Sequence, residues 1–176
     1  EASLSLVDCR IPQENLLGKV GEGFRLALSS INHARYTIAA GCTGIAQACI
    51  DASIKYAKER QQFGKPIGSF QLIQGMIADM IVETQAARLL TYQAGYLKDK
   101  GLSSIRETSI AKYYATEVAL RASTNALRLH GAYGYSDDFP VERYYRDIMG
   151  AIIFGGTNEI QKLIIGRDAL GISAFA

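Results

Sequence analysis

Gly155, Gly156, Thr157 and Asn158 stand in a row at the start of a segment with helical periodicity. Two glycines and a hydroxyl there leave free backbone N–H groups at the positive end of a helix dipole, able to face a phosphate or a thioester oxygen. The same residues make an ordinary helix cap, so the pattern alone leaves both readings open. A second group, Arg60, Gln61, Gln62, Phe63, Gly64 and Lys65, places cations, two amides and an aromatic ring where a long helix should end. It could bind a pyrophosphate and stack on an adenine, or simply be a solvated end that complements the dipole. His33 and His130 have no second ligand at metal spacing, so they read as local hydrogen-bonding residues and no metal is expected. Asp137-Asp138 reads as a turn or cap, and Met76 and Met80 read as core filler.

The elements that must position these groups are almost all helical. Residues 2–11 alternate imperfectly between polar and apolar up to Pro12 and read as one strand, for which no partner is visible downstream. From residue 23 to about 60 there is no proline, and Phe24, Leu28, Ile31, Ile38, Ile45, Cys49, Ala52 and Tyr56 mark one face of a long helix. Gly41 and Gly44 are the expected bend or close-packing point. The QQFGKPIGSF stretch should be a loop. A second long helix runs from Leu72 toward a stop at Gly101, and a third over residues 105–130. A short helix follows with Pro140 in its first turn, then a last one with Ile160, Leu163, Ile164 and Leu170 inward. The fold class is therefore all-α, an antiparallel helical bundle over residues 21–176, preceded by a strand and linker in residues 1–20.

Composition narrows the function further. With 176 residues, 48% hydrophobic and 20% charged, the chain can bury a core. Nineteen Lys and Arg against 17 Asp and Glu leave a net charge of +2, with the basic residues scattered, so nucleic-acid binding is not expected. No unbroken apolar run approaches the roughly 18 residues a membrane span needs, and no span is expected. Cys42 and Cys49 would sit about 10 Å apart along a helix, too far for a disulfide, which fits a reducing compartment. The first residues lack the basic-then-apolar pattern of a signal peptide.

Five segments taken in order, ARYTIAAGCTGIAQA, YAKERQQFGKPIGSFQLIQ, LHGAYGY, YYRD and FGGTNEIQKLIIGR, resemble the C-terminal helical domain of the acyl-CoA dehydrogenase family over essentially the whole chain. HARY and IIGRDALGISAF look most like the glutaryl-CoA dehydrogenase branch. The resemblance implies an FAD flavoprotein, with residues 1–20 as the last strand and linker of a middle β domain. It implies a homotetramer, a dimer of dimers, with an acyl-CoA thioester as substrate and electron-transferring flavoprotein as acceptor. The compartment would be the cytoplasm in a bacterium or archaeon, or the mitochondrial matrix in a eukaryote. By the same resemblance Arg60, Gln61, Gln62, Phe63 and Gln71 would hold the ADP part of a neighbouring subunit's FAD, and Arg128, Leu129, His130, Gly131 and Ala132 would touch it as well. Thr157, Asn158 and Glu159 would bind FAD in their own subunit. Asn32 and Arg35 fall where the family contacts acyl-CoA, and Gly156 where a backbone N–H holds the thioester carbonyl.

One departure from the family pattern concerns the base that removes the α-proton. Its usual seat, a Glu before the Gly-Thr pair, is Gly155 here, and an alternative seat on the first long helix is Ala34. General-base catalysis contributes on the order of a hundred- to ten-thousand-fold, so ordinary dehydrogenation would be badly impaired without a substitute. The resemblance thus leaves three functions open: a dehydrogenase, a base-less desulfinase-like lyase, or a catalytically inactive homologue.

Overall fold

Small residues spaced at threes and fours decide how the helices meet. In the computed structural model, which describes residues 2–174, α1 (Gly23–Glu59), α2 (Gln71–Asp99) and α3 (Ile105–His130) form the body of the bundle. Along α1, Ala39, Cys42, Ala46 and Cys49 are buried, and along α3 so are Ala111, Ala115, Ala119, Ala122 and Ala126. Side chains this short let two backbones approach closely, so α3 becomes the central helix, packed on α1, α2, α5 (Val141–Ile153) and α6 (Asn158–Leu170). On α2, Gly95 admits the Tyr36 ring, since a Cβ there would lie 2.5 Å from the phenolic oxygen.

Several expectations need correction. Residues 2–11 form no strand, because the described residues offer no neighbour whose N–H and C=O groups could complete a ladder. Gly41 and Gly44 are exposed, and a Cβ on either would meet nothing, so they are not packing points. Phe24, Leu28 and Ile31 are exposed as well, since the first turns of α1 overhang the bundle. On α6 the inward residues are Asn158, Gln161 and Ile164, while Leu163 and Leu170 face outward. The QQFGKPIGSF loop contains a minimal hairpin, β1 (Gln61–Gln62) with β2 (Lys65–Pro66), whose central residues Phe63 and Gly64 both have positive φ. That is the backbone of a tight primed turn. A one-turn helix, α4 (Ala132–Tyr135), follows α3 and was not expected.

By length and apolar composition α1 would suffice to cross a membrane. A count of unbroken apolar runs misses this because α1 intersperses Ser, Gly and Thr. Its buried stripe nevertheless faces protein, packing against α2 and α3.

Candidate functional site

The candidate residues gather at two ends of α1. In its N-terminal half, Arg35 reaches the turn between α5 and α6, and its Nε donates to the Gly155 carbonyl over 2.9 Å. Burial holds the Arg35 guanidinium below its ordinary pKa. Gly155 and Gly156 have φ of 69° and 90°, a region that L side chains resist. A Cβ on Gly156 would fall 2.9 Å from Gln161 Nε2 and 3.1 Å from Arg35 Nη2. One on Gly155 would fall 2.6 Å from Ile38 Cδ1, so a methyl group already occupies the space beside that residue. Ala34 is exposed, one turn before Ile38 on α1.

The helix after the turn is capped by Thr157, whose hydroxyl accepts from the Ile160 N–H at 3.4 Å. Glu159 is exposed, and its carboxyl is held below its ordinary pKa by its own backbone N–H and by the Thr157 hydroxyl. Asn158, which the resemblance places among the FAD contacts, turns its side chain inward. It is 1% exposed; its Oδ1 accepts from Lys112 Nζ (2.8 Å) and Thr116 Oγ1 (3.0 Å), and its Nδ2 donates to Glu117 Oε1 (2.8 Å). The side chain is spent inside the protein, so the anion-holding capacity of this turn rests with backbone N–H groups and Thr157.

Beside the turn lies an apolar cavity of about 560 Å³, bounded by Phe24, Leu28, Asn32, Arg35, Ile105, Ile160, Ile164 and Arg167. The Asn32 Oδ1 is buried without a partner. An apolar trough with a buried polar atom and a cation suits an acyl chain joined to a polar carbonyl group. This also explains why Phe24 and Leu28 are not core: they wall the trough.

At the other end of α1, Arg60, Gln62, Leu129, His130, Gly131 and Ala132 converge with Tyr56 and Tyr133 on a second cavity of about 260 Å³. The His130 ring stacks on Tyr56 at 4.3 Å between centroids, and its Nδ1 lies 2.8 Å from the Ala126 carbonyl. A carbonyl only accepts, so Nδ1 carries the proton, and Nε2 is left buried without a partner. Burial lowers the His130 pKa and favours this neutral form. Arg60 stands over the Tyr133 ring at 6.0 Å, Phe63 is 91% exposed at the tip of the hairpin, and Gln61 and Arg128 are exposed close by. Phe63 and Gln71 line an adjacent open hollow with Phe70. Cation, amides and bare aromatic rings are groups that could hold a nucleotide.

The chain therefore brings its expected site residues together in two clusters and keeps them apart from each other. Arg35 and Arg60 are 25 residues apart on one helix, about 37 Å along its axis. Sequence reasoning missed Lys112, Thr116, Glu117 and Gln161. The available signal was a lysine at an inward position of the alanine-rich third helix. Among the described residues no group of His, Cys, Asp and Glu is placed to hold a metal ion.

The sequence pattern of the acyl-CoA dehydrogenase C-terminal domain matches residues 21–170, and the chain belongs to this family. It is 49% identical over 170 residues to glutaryl-CoA dehydrogenase of Desulfococcus multivorans, spanning 96% of this chain and 44% of that protein. It is 46% identical over 169 residues to acryloyl-CoA reductase (NADH) of Anaerotignum propionicum, spanning 96% and 43%. Among solved structures, butyryl-CoA dehydrogenase from Megasphaera elsdenii superposes with a TM-score of 0.88 at 41% identity, covering 91% of this chain and 42% of that one. The chain thus spans less than half the length of the relatives it matches.

Proposed function

We propose that this chain is the C-terminal FAD- and acyl-CoA-binding domain of a flavoenzyme acting on the α,β-carbons of an acyl-CoA thioester. The observation that carries the reading is the junction of the Arg35-supported Gly155-Gly156 turn with the apolar trough beneath α1. There an acyl chain can lie against Leu28 and Ile164 while its carbonyl oxygen meets backbone N–H donors at the start of α6. FAD, when bound, supplies a hydride acceptor.

The residues present fit that cofactor. A solvent-exposed Phe63, the Arg60 cation, the amides of Gln61 and Gln62 and the orphaned His130 Nε2 form one nucleotide-facing end. Thr157 and the start of α6 form the other. At about 37 Å these ends lie too far apart for one extended dinucleotide, so each serves a different cofactor molecule. This supports a homo-oligomer, in the family's manner a dimer of dimers, in which the hairpin of one copy completes the pocket of the next. Electron-transferring flavoprotein is the expected acceptor.

The proton-abstraction step lacks an acid-base group in this chain. Gly155 and Ala34 have none, and Glu159 is a poor substitute because its hydrogen bonds stabilise the charged form and weaken it as a base. The crowding of Gly155 by Ile38 favours, as a second reading, an eliminating enzyme of the desulfinase-like kind or an inactive homologue.

Anaerobic mixing of the full-length, flavin-loaded protein with a panel of acyl-CoAs separates these. A dehydrogenase bleaches its flavin. An eliminating enzyme converts its thioester with no net bleaching, and an inactive homologue binds without either. A full-length protein that takes up neither FAD nor any acyl-CoA would overturn the proposal.

A further inference from the structure

The turn at residues 154–157 carries two positive-φ glycines and lies outside any regular hydrogen-bonded element. Such a segment is intrinsically loose, since glycine loses more freedom on ordering than any other residue. Yet holding a developing negative charge demands N–H donors fixed before the reaction. Something must hold the turn from behind. Arg35 grips its Gly155 carbonyl, and Gln161 grips that of Gly156 and, at 3.5 Å, that of Thr157. Lys112 grips both of its flanks.

Lys112 is the most voluminous side chain that the fold buries completely. Its Nζ donates to the Ile152 carbonyl at 3.2 Å, in the last turn of α5, and to Asn158 Oδ1 at 2.8 Å, in the first residue of α6. One ammonium group thereby joins the helix that enters the turn to the helix that leaves it. Thr116 and Glu117 hold the Asn158 amide in the orientation that receives the lysine, and both lie on the next turn of α3. An unpaired ammonium would be costly to bury, and this one is placed where two acceptors meet. The cation also sits at the C-terminal end of α5, the end a helix dipole favours for positive charge.

We infer that Lys112 is a positioning residue that clamps α5 to α6 across the 154–157 turn and so fixes the Gly156 N–H against a bound thioester carbonyl. The last clause rests on the function proposed above, whereas the clamp itself is a property of this chain. Lys112 touches no substrate and acts only through the turn.

The test is the full-length, flavin-loaded protein carrying Lys112→Met, which keeps the volume and removes the donors. Amide hydrogen exchange read by mass spectrometry should accelerate at least tenfold in peptides covering residues 154–158 and stay unchanged in the buried stretches of α1 and α3. Flavin reduction at saturating acyl-CoA should fall at least tenfold while the thioester dissociation constant moves less than threefold. General loosening of the fold would not produce that split. Should Lys112→Met fail to fold, Asn158→Ala cuts only the α6 arm of the clamp and should accelerate exchange in the same peptides. A folded Lys112→Met, or in its place a folded Asn158→Ala, with wild-type exchange at 154–158 overturns the inference. A wild-type protein that binds no thioester would sink the functional reading and leave the exchange result to judge the clamp.

Discussion

Gly155→Glu sets a rate gain against a structural cost, and both can be worked out. The backbone at residue 155 has φ of 69°, where a side chain costs about 1–2 kcal/mol. The new Cβ would approach Ile38 Cδ1 to 2.6 Å, and turning that side chain from its rotamer adds about 0.5–1.5 kcal/mol. The total, about 1.5–3.5 kcal/mol, lowers Tm by several degrees at roughly 2–4 °C per kcal/mol for a domain of this size. Against this, a positioned base is worth on the order of 10²–10⁴ in rate. If the turn relieves its strain by drawing the carboxylate partly aside, about 1.4 kcal/mol of misplacement removes one factor of ten. The gain expected from stopped-flow flavin reduction by a simple acyl-CoA is therefore at least tenfold. Gly155→Ala pays the same backbone cost without a carboxylate and should lose stability with no gain in rate. Adding Ile38→Val to Gly155→Glu deletes the obstructing methyl, so this pair should recover part of the lost Tm. A folded, flavin-loaded Gly155→Glu protein that binds thioester but reduces its flavin no faster than wild type refutes the idea that a missing carboxylate limits this site.

Burial brings the Lys112 pKa down to about 8, below its ordinary 10.5. Between those values the unfolded chain binds more protons than the folded one, so the folded state gains stability as pH rises. From pH 8 to 9 the lysine's own contribution grows by about 1 kcal/mol, read as the widening difference in urea midpoint between the wild type and Lys112→Met. The buried thiols oppose this over the same range and outweigh it above about pH 9, because burial raises Cys42 to about 11 and Cys49 to about 12 from an ordinary 9.0, and the unfolded thiols ionise first. Ala119→Leu forces a larger side chain between α3 and its neighbours where no space remains, at an expected cost of 1–3 kcal/mol or somewhat more, measurable by thermal or urea unfolding.

The helices were legible because their period is carried by many residues at once. The third long helix, for example, runs over the expected residues 105–130. What misled the reading was the assumption that apolar faces face inward. Phe24 and Leu28 share the period of Ala39 and Ala46, yet they wall an open apolar trough rather than a core. Short motifs located the clusters at Arg60 and Gly155, since glycine, cation and amide content is a local property. The Lys112–Asn158 contact joins residues 46 apart, and no local pattern announces it. The strand at residues 2–11 shows the converse limit: alternation reports a preference, but a strand exists only beside another.

The length of α1 carries a consequence for genetics as well as for geometry. A rigid rod with half a pocket at each tip makes every chain a donor to one centre and a recipient at another, if the hairpin serves a neighbouring copy. Two alleles, one crippled at Arg60 and the other at Arg35, would each be inert alone. Co-expressed in the same cell, they would reassemble one wholly sound centre in every mixed pair, alongside one doubly broken.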